Sequence, residues 1–390
     1  MRSGNLKVSN FQTGVDEMAE VKVNPTGVEV EDFLPILDVD YLEYYSGNAK
    51  QAAHFFCKTY GFRPVAYKGL ETNSRETVSY VLEQGQIRFV ISGAFSPDHP
   101  IAEFVKLHGD GVKDIALQVD DVESAYREAV SRGGISIREP WEEKDDHGVI
   151  KKAIIGTYGD TIHTLVERKN YHGVFAPGFV EADFSIPFED AGLLGVDHVV
   201  GNVERMEEWV SYYEKVLGFK ELRHFRDEDI STEYSALMSK VMQNGTGRIK
   251  FPINEPAEGK KKSQIEEYLE YYRGPGVQHV ALFTKDIIQT VKALKAKGVE
   301  FLDTPDSYYS ELHSRVGEID EAVEELRKYR ILVDRDDEGY LLQIFTQPIV
   351  DRPTLFFEII QRKGARGFGE GNFKALFEAI EREQERRGNL

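Results

Sequence analysis

The residues of this chain best suited to chemistry are two histidines and a glutamate, each within a short apolar segment. His198 lies in VDHVV, His279 in VQHVA and Glu358 in TLFFEIIQ. If these segments are strands, side-chain alternation places each polar group on a face with apolar neighbours, pointing inward. A buried carboxylate is costly unless it is paired or bound to a cation. On adjacent strands, the three would form the facial triad of non-heme Fe(II) sites, although spacing alone does not distinguish iron from manganese or zinc.

An internal duplication indicates that the fold does not require these residues. Three segments of the first half align with those around the histidines and the glutamate, at offsets of 157, 165 and 194 residues. The alignment places different residues at the three positions: Tyr41, Asp114 and Thr164. A histidine near a core strand is more often a hydrogen-bonded structural residue than a metal ligand. Because one copy of the repeat lacks both residue types, a metal site in the second copy is favoured.

The elements that must position these residues recur in each copy of the repeat. An apolar strand is followed by an amphipathic helix and then by short β-rich runs. After His198, helical spacing covers Tyr213, Val216 and Leu217, and Gly218 stands where that helix would end. The sequence therefore predicts an α+β protein of four βαβββ units, two per domain. The expected segments are a flexible N-terminal extension, a first domain without metal ligands and a catalytic second domain: residues 1–32, 33–180 and 181–390.

Composition narrows the classes of partner and compartment. The formal net charge is −19, which argues against nucleic acid or an anionic membrane surface as a partner, since both need a basic footprint. We expect no transmembrane helix and no signal peptide, because the chain has no apolar run of about 18 residues and a polar N-terminus. One cysteine, Cys57, excludes an internal disulfide and suits a reducing cytoplasm.

Longer stretches, mostly in the second half, carry a specific resemblance. They are GVDHVVGNV, FPINEPAEGKKKSQIEEYLEYYRGPGVQHVAL, ILVDRDDEGYLLQIFTQPIVDRPTLFFEIIQR and GFGEGNFKALFEAIE. Over about residues 35 to 388, the chain resembles the 4-hydroxyphenylpyruvate dioxygenase family of the vicinal oxygen chelate superfamily. The resemblance implies two tandem vicinal-oxygen-chelate domains, each a pair of βαβββ units forming an open barrel, with a C-terminal gating helix. It also implies one Fe(II) per chain, with His198, His279 and Glu358 as ligands and no further catalytic residue.

The resemblance further implies a set of substrate-binding residues in the second half. They are Ser239, Asn254, Gln264, Gln278, Gln343, Phe345, Phe356, Phe368, Asn372 and Phe373. Asn254 and Gln264 are neutral groups suited to a phenol hydroxyl, and the phenylalanines could enclose an aromatic ring, although ordinary core packing is the alternative for each. Strand alternation would turn Gln278 away from the metal unless a bulge or a contact with a ligand brings it back.

The last helical pattern could close the site. Phe373, Leu376, Phe377 and Ile380 form a stripe at helical spacing, and the glycines around Phe368 supply backbone freedom before it. A helix that caps the core is one interpretation. A gate that excludes water from the iron is the other, which the resemblance supports.

The activity implied by the resemblance is the conversion of 4-hydroxyphenylpyruvate and O2 to homogentisate and CO2, by oxidative decarboxylation, ring hydroxylation and side-chain migration. Because this substrate is itself a 2-oxo acid, no separate 2-oxo acid is needed. Three alternatives stay open: a 4-hydroxymandelate synthase, a metal-free small-molecule binding protein of the same superfamily, and a Lewis-acid isomerase. The family also suggests a homodimer or a homotetramer.

Overall fold

The computed structural model describes residues 32–182, 186–226, 236–257 and 259–389. All but the last residue of the expected N-terminal extension, 1–32, lies outside the described residues. The two sheets of the structure lie within one unit, Leu34–Leu390. Among the described residues, no helix combines the length and the apolar character that crossing a bilayer requires.

The described residues form seventeen strands, β1 to β17, and all of them except β9 belong to the predicted repeat. In chain order they are Ile36–Tyr45, Arg63–Lys68, Thr77–Gln84, Ile87–Ala94, Gly111–Val119, Ser136–Asp145, Gly148–Gly156, Ile162–Glu167, Val180–Glu181, Leu193–Asn202, Lys220–Phe225, Ala236–Gln243, Lys250–Ala257, Gly276–Thr284, Leu332–Arg335, Tyr340–Phe345 and Phe356–Lys363.

Ten α-helices, α1 to α10, are described between and after these strands. They are Ala49–Phe55, Pro100–His108, Val122–Ser131, Met206–Leu217, Gln264–Tyr272, Ile287–Ala296, Asp306–Ser310, Leu312–Val316, Val323–Tyr329 and Phe373–Arg386. A π-helical turn at Phe56–Tyr60 extends α1, and a 3-10 turn at Glu370–Asn372 precedes α10. Gly218 ends α4 in the left-handed conformation with φ 69°, as the sequence predicted.

The strands form two sheets with matching topology. The first has the order β6-β7-β8-β5-β1-β4-β3-β2-β9 and the second has the order β11-β12-β13-β10-β14-β17-β16-β15. In each sheet an antiparallel pair at the centre, β1 with β5 or β10 with β14, is flanked by parallel partners. The four predicted βαβββ units are confirmed, and α2 and α5 join the units within each half. The predicted division between residues 180 and 181 falls inside β9, which pairs with β2 of the first sheet.

Three register shifts recur in the central strand pair of each sheet, and in the second sheet two of them lie next to the histidines. In the second sheet Val196 pairs with Leu282 and His198 with Ala281, so Asp197 is an extra residue. Val200 pairs with His279 and Gly201 with Val277, so Gln278 is a second one. A bulge re-aims side chains, so a residue and its neighbour can reach the same region. The first sheet has equivalent bulges at Asp40 and Lys113.

Cys57 lies in the first half, inside the π-helical turn that follows α1. Its side chain is fully buried, and burial raises the pKa of the thiol to about 12. A protonated, enclosed thiol is a packing residue rather than a nucleophile.

Candidate metal centre and cavity

The three predicted ligands converge from three adjacent strands of the second sheet. His198 lies on β10, His279 on β14 and Glu358 on β17. In the register, Ala281 is the partner of both His198 and Glu358, while His279 lies two residues earlier on the same face of β14. Sheet geometry therefore brings together side chains that are up to 160 residues apart in the chain, 358 minus 198.

The distances between the ligand atoms fit a single ion. His198 Nε2 lies 3.2 Å and His279 Nε2 lies 3.5 Å from Glu358 Oε2. One ligand atom from each residue lies within 4.8 Å of the other two. Atoms bound at about 2.1 Å to a common ion are about 3 Å apart when they are adjacent in its coordination sphere. All three residues are buried.

The residue before each histidine fixes the orientation of its ring. His198 Nδ1 donates to Asp197 Oδ1 at 2.7 Å, and His279 Nδ1 donates to Gln278 Oε1 at 3.0 Å. Because each Nδ1 faces an acceptor, each ring turns its Nε2 toward Glu358, and a histidine nitrogen binds a metal ion once it has lost its proton. Two Nε2 atoms and a carboxylate oxygen that converge in a buried site form a set of ligand atoms suited to one cation. Both acceptors are the bulge residues described above, so the bulge that the sequence left open for Gln278 is present.

An ion pair holds the Asp197 carboxylate in turn. Arg362 Nε donates to Asp197 Oδ2 and Arg362 Nη2 donates to Oδ1, both at 2.7 Å. The same guanidinium donates to the carbonyl of Gly367 at 2.7 Å and lies 5.5 Å from the centre of the Phe368 ring. Arg362 therefore connects the group that orients His198 to the glycine-rich turn before α10.

Burial and neighbouring charges set the protonation of the site in opposite directions. Burial alone raises the pKa of Glu358, but His198 and the hydrogen bonds from both imidazoles outweigh it and lower this pKa to about 2. Burial lowers the pKa of His279. For Asp197, burial opposes ionisation, but the hydrogen bonds and charge of Arg362 hold the pKa well below its usual range. The Asp197 charge is thus paired with Arg362, and the Glu358 charge is paired with the imidazoles, whose Nε2 protons a bound cation would replace.

A mainly apolar cavity opens beside these ligands. The three ligands line it together with eight of the ten predicted substrate-binding residues: Ser239, Asn254, Gln264, Gln278, Phe345, Phe356, Phe368 and Phe373. The Phe356 ring stacks on His279 with centroids 4.8 Å apart. The Phe368 ring meets His198 edge-on at 5.1 Å. The two aromatic rings therefore pack directly against the two predicted histidine ligands.

Two predicted substrate-binding residues do not line this cavity. Gln343 is fully buried, and among the described residues its amide atoms have no hydrogen-bond partner. A Cβ atom added to Gly369 would lie only 2.4 Å from Gln343 Oε1. The turn before α10 therefore packs directly on the Gln343 amide. Asn372 Oδ1 accepts a hydrogen bond of 2.6 Å from the Tyr308 hydroxyl. Asn372 therefore anchors the start of α10.

Seven lining residues are absent from the predicted set. They are Val200, Phe225, Leu237, Val241, Pro252, Leu376 and Phe377. Four of the seven follow from alternation, since each lies two residues from a predicted site residue on the same strand: Val200, Leu237, Val241 and Pro252. The orienting residues Asp197 and Arg362 were also missed, although both recur in the repeat as Asp40 and Arg168.

The C-terminal helix α10 closes the cavity. Phe377 packs with Phe225 and Leu237 on one side, and Phe373 lies edge-on to Phe225 at 5.2 Å. Ala379 packs on the other side with Phe345 and Phe356. At the far end of the helix, Arg387 Nη2 forms an ion pair with the buried Glu267 at 2.7 Å. The predicted stripe is thus the inner face of α10, which covers the ligands.

Two family models match the chain. The model described as Hydroxyphenylpyruvate dioxygenase, HPPD, N-terminal matches residues 30–185. The model described as Glyoxalase/Bleomycin resistance protein/Dioxygenase superfamily matches residues 195–344. One model therefore falls on each half of the duplicated chain.

Curated relatives match over nearly the whole chain. A 4-hydroxyphenylpyruvate dioxygenase of Yarrowia lipolytica is 48% identical and covers 94% of this chain and 97% of its own length. One of Xenopus tropicalis is 50% identical over 91% of this chain and 93% of its own length.

Solved structures share the fold. A mutant of 4-hydroxymandelate synthase from Streptomyces coelicolor superposes with a TM-score of 0.81 at 35% identity, covering 90% of this chain and 99% of that one. A xylose isomerase-like TIM barrel/4-hydroxyphenylpyruvate dioxygenase fusion protein superposes with a TM-score of 0.70 at 23% identity, covering 93% of this chain and 55% of that one. The second likeness concerns the fold alone.

Proposed function

The chain belongs to the 4-hydroxyphenylpyruvate dioxygenase family, and we propose that it converts 4-hydroxyphenylpyruvate and O2 to homogentisate and CO2 in tyrosine catabolism. The observation that carries this proposal is the buried cluster of His198, His279 and Glu358 at one end of an aromatic cavity. Two imidazoles and one carboxylate leave coordination positions open, as oxygen-activating iron enzymes require.

Fe(II), one per chain, is the proposed resident ion. Its ligands would be the Nε2 atoms of His198 and His279 and the carboxylate of Glu358. The convergence of both Nε2 atoms on the Glu358 carboxylate, and the low pKa that keeps this carboxylate ionised, support a cation at this point. When bound, Fe(II) would supply open positions for a 2-oxo acid and for O2, together with the electrons that O2 activation needs.

The chain itself binds and orients the substrate. The rings of Phe345, Phe356, Phe368 and Phe373 offer faces and edges to the substrate ring. Four polar side chains in the same cavity can hydrogen-bond its hydroxyl or its oxo acid end: Ser239, Asn254, Gln264 and Gln278. Gln343 and Asn372 also remain proposed contacts, and each would have to turn toward the substrate.

Exclusion of water is the proposed role of α10. The helix places Phe373, Leu376 and Phe377 against the cavity, and an enclosed apolar site protects reactive intermediates from solvent. Opening of this helix would admit substrate and release product.

A 4-hydroxymandelate synthase is the second candidate, since a solved structure of that enzyme shares the fold at 35% identity. The two reactions differ in whether the ring or the benzylic carbon is hydroxylated. Analysis of the product distinguishes them: homogentisate supports the dioxygenase, and 4-hydroxymandelate would overturn that assignment.

Oxygen uptake tests the proposed function directly. Protein loaded anaerobically with Fe(II) should consume about one O2 per 4-hydroxyphenylpyruvate and release CO2, while chelator-treated protein should not. A metal-free binding protein or a Lewis-acid isomerase would consume no O2. Uptake that is independent of ferrous ion would contradict the proposed cofactor.

Assembly, compartment and domain limits are further proposals. We expect a homodimer or a homotetramer, located in the cytoplasm, with the chain divided near residue 180. Light scattering on purified protein measures the oligomeric state, and fractionation of cells determines the compartment. Limited proteolysis should cut between the two halves and not within either sheet.

A further inference from the structure

Two asparagines form a hydrogen bond at the wall of the cavity, where the end of β10 pairs with β13. Asn254 lies on β13 and lines the cavity, while Asn202, the last residue of β10, is fully buried and does not. Asn254 Nδ2 donates to Asn202 Oδ1 at 3.2 Å. The two residues are register partners of neighbouring parallel strands.

This contact turns the Nδ2 end of the Asn254 amide toward the oxygen of Asn202. The Asn254 carbonyl accepts from Val203 N at 2.9 Å, so its backbone is held as well. Its Oδ1 takes part in no hydrogen bond among the described residues. With Nδ2 engaged by Asn202, Oδ1 is the end of the amide left for the cavity, where it can accept but not donate a hydrogen bond.

The pair is poorly explained by stability alone. Asn202 Nδ2 has no hydrogen-bond partner among the described residues although it is buried, and an unsatisfied buried donor lowers the stability of the fold. The fold does not demand the pair either, because the equivalent positions of the first sheet hold Tyr45 and Ser92, which are register partners there. We therefore look for the role of the asparagine pair in the cavity that Asn254 lines.

We propose that Asn202 is a positioning residue that holds the Asn254 amide with its oxygen toward the cavity, so that the site selects substrates whose ring carries a hydroxyl. This inference rests on the proposed function. A phenol hydroxyl would donate to Asn254 Oδ1, whereas a bare phenyl ring would leave that oxygen desolvated and unpaired. If the Asn202 side chain is removed, the amide can rotate, and its donor end would face the hydroxyl in part of the molecules.

Binding of a matched pair of ligands tests this role. Anaerobic calorimetry on iron-loaded protein gives the Kd of 4-hydroxyphenylpyruvate and of phenylpyruvate, which lacks only the hydroxyl. Wild-type protein should prefer the hydroxylated acid by about tenfold or more. Asn202→Leu, which is close in size, should lower that preference about fivefold, while the Kd of phenylpyruvate changes less than about twofold.

Two further variants separate positioning from structure. Asn202→Asp keeps an oxygen that accepts from Asn254 Nδ2 and should retain the preference. Asn254→Ala should lose the preference, and adding Asn202→Leu to it should cause no further loss, since Asn202 acts only through Asn254. If Asn202→Leu does not fold, Asn202→Ala replaces it, and the Kd of phenylpyruvate reports the integrity of the site.

Three results would overturn the inference. They are an unchanged preference in Asn202→Leu, an equal weakening of both ligands, and additive losses in the double variant. If wild-type protein binds neither acid, the proposed function itself fails, and this outcome is distinct from the other three.

Discussion

The two halves of the chain build the same support and place different residues inside it. In the first sheet Arg168 Nε and Nη2 donate to Asp40 at 2.6 to 2.8 Å, just as Arg362 holds Asp197 in the second. The Arg168 guanidinium lies 4.8 Å from the centre of the Phe175 ring, as Arg362 lies over Phe368. Phe175 meets Tyr41 edge-on, in the way that Phe368 meets His198.

The difference lies in the three side chains that point inward. At the positions of His198, His279 and Glu358, the first sheet has Tyr41, Asp114 and Thr164. These bind one another: Thr164 Oγ1 donates to Asp114 Oδ2 at 2.5 Å, and the Tyr41 hydroxyl donates to the same oxygen at 3.3 Å. Thr164 N also donates to Asp114 Oδ1 at 2.9 Å. The first half therefore satisfies its buried carboxyl with hydroxyl and amide donors, where the second half turns two imidazoles, which can bind a metal ion, toward its carboxylate.

This comparison separates what belongs to the fold from what belongs to the metal. The bulges and the buried arginine–aspartate pairs occur in both halves, so they are not by themselves signs of a metal site. In the second half the bulge residue Asp197 accepts from His198 Nδ1, which Tyr41 cannot match. The same ion pair thus supports the fold in one half, and in the other it also orients His198, a proposed ligand.

The largest expected effect comes from the inward-pointing residues. His198→Ala should lower bound iron from one per chain to below about a tenth and reduce oxygen uptake more than about hundredfold, since loss of a ligand exceeds the effect of an orienting group. Tyr41→Phe, at the equivalent position, should change neither. Metal analysis and oxygen uptake check both variants, and an equal iron content in His198→Ala would remove this residue from the ligand set.

The second effect tests the shared ion pairs. Asp40→Asn and Asp197→Asn each break a buried pair, so each should lower the free energy of unfolding of the metal-free protein by about 3 kcal/mol. Only Asp197→Asn should weaken iron binding, by about 10- to 100-fold, because only this carboxylate orients a ligand. Urea unfolding and competition with a chelator measure the two quantities. Equal iron affinity in the two variants would refute the orienting role.

The third effect concerns the pH dependence of the first half. Burial raises the pKa of Asp114 to about 7, whereas in the unfolded chain it is about 4. The folded state thus binds more protons between these values, so the stability from Asp114 is fully present below about pH 4 and is lost as the pH rises through about 7. Between pH 5 and pH 8 the free energy of unfolding of wild-type protein should therefore decline by about a few kcal/mol more than that of Asp114→Asn. An unchanged slope in urea unfolding at these pH values would contradict it.

The smallest effect concerns the neutral acceptor of His279. Gln278→Leu removes the partner of Nδ1 and should weaken iron binding by about tenfold. Lys113→Leu changes the equivalent bulge residue of the first sheet and should leave iron affinity as it is. Chelator competition on the two variants measures this difference. An unchanged iron affinity in Gln278→Leu would show that Gln278 lines the cavity without supporting His279.

The positions of the strands that carry the site could be predicted closely from the sequence, because each strand has a counterpart in the other copy of the repeat. The offsets of 157, 165 and 194 residues map β1, β5 and the start of β8 onto β10, β14 and the start of β17 in the structure. Alternation then identified the inward-pointing residues, and family resemblance supplied the aromatic positions.

What the sequence did not yield depends on register and on helix docking. A bulge adds one residue to a strand without a composition signal, so the roles of Asp197 and the placement of Gln278 required the pairing of β10 with β14. Contacts across the fold, such as that of Arg362 with Asp197, depend on which strands become neighbours. The turn before α10, where Tyr308 holds Asn372, likewise brings together segments that no periodicity relates.

Anomalous scattering at the iron edge from crystals of iron-loaded protein tests the central claim most directly. One peak per chain is expected, about 2.1 Å from His198 Nε2, His279 Nε2 and a Glu358 oxygen, and none beside Tyr41, Asp114 and Thr164. A peak in the first half, or one that any of the three ligand atoms cannot reach, would contradict the account.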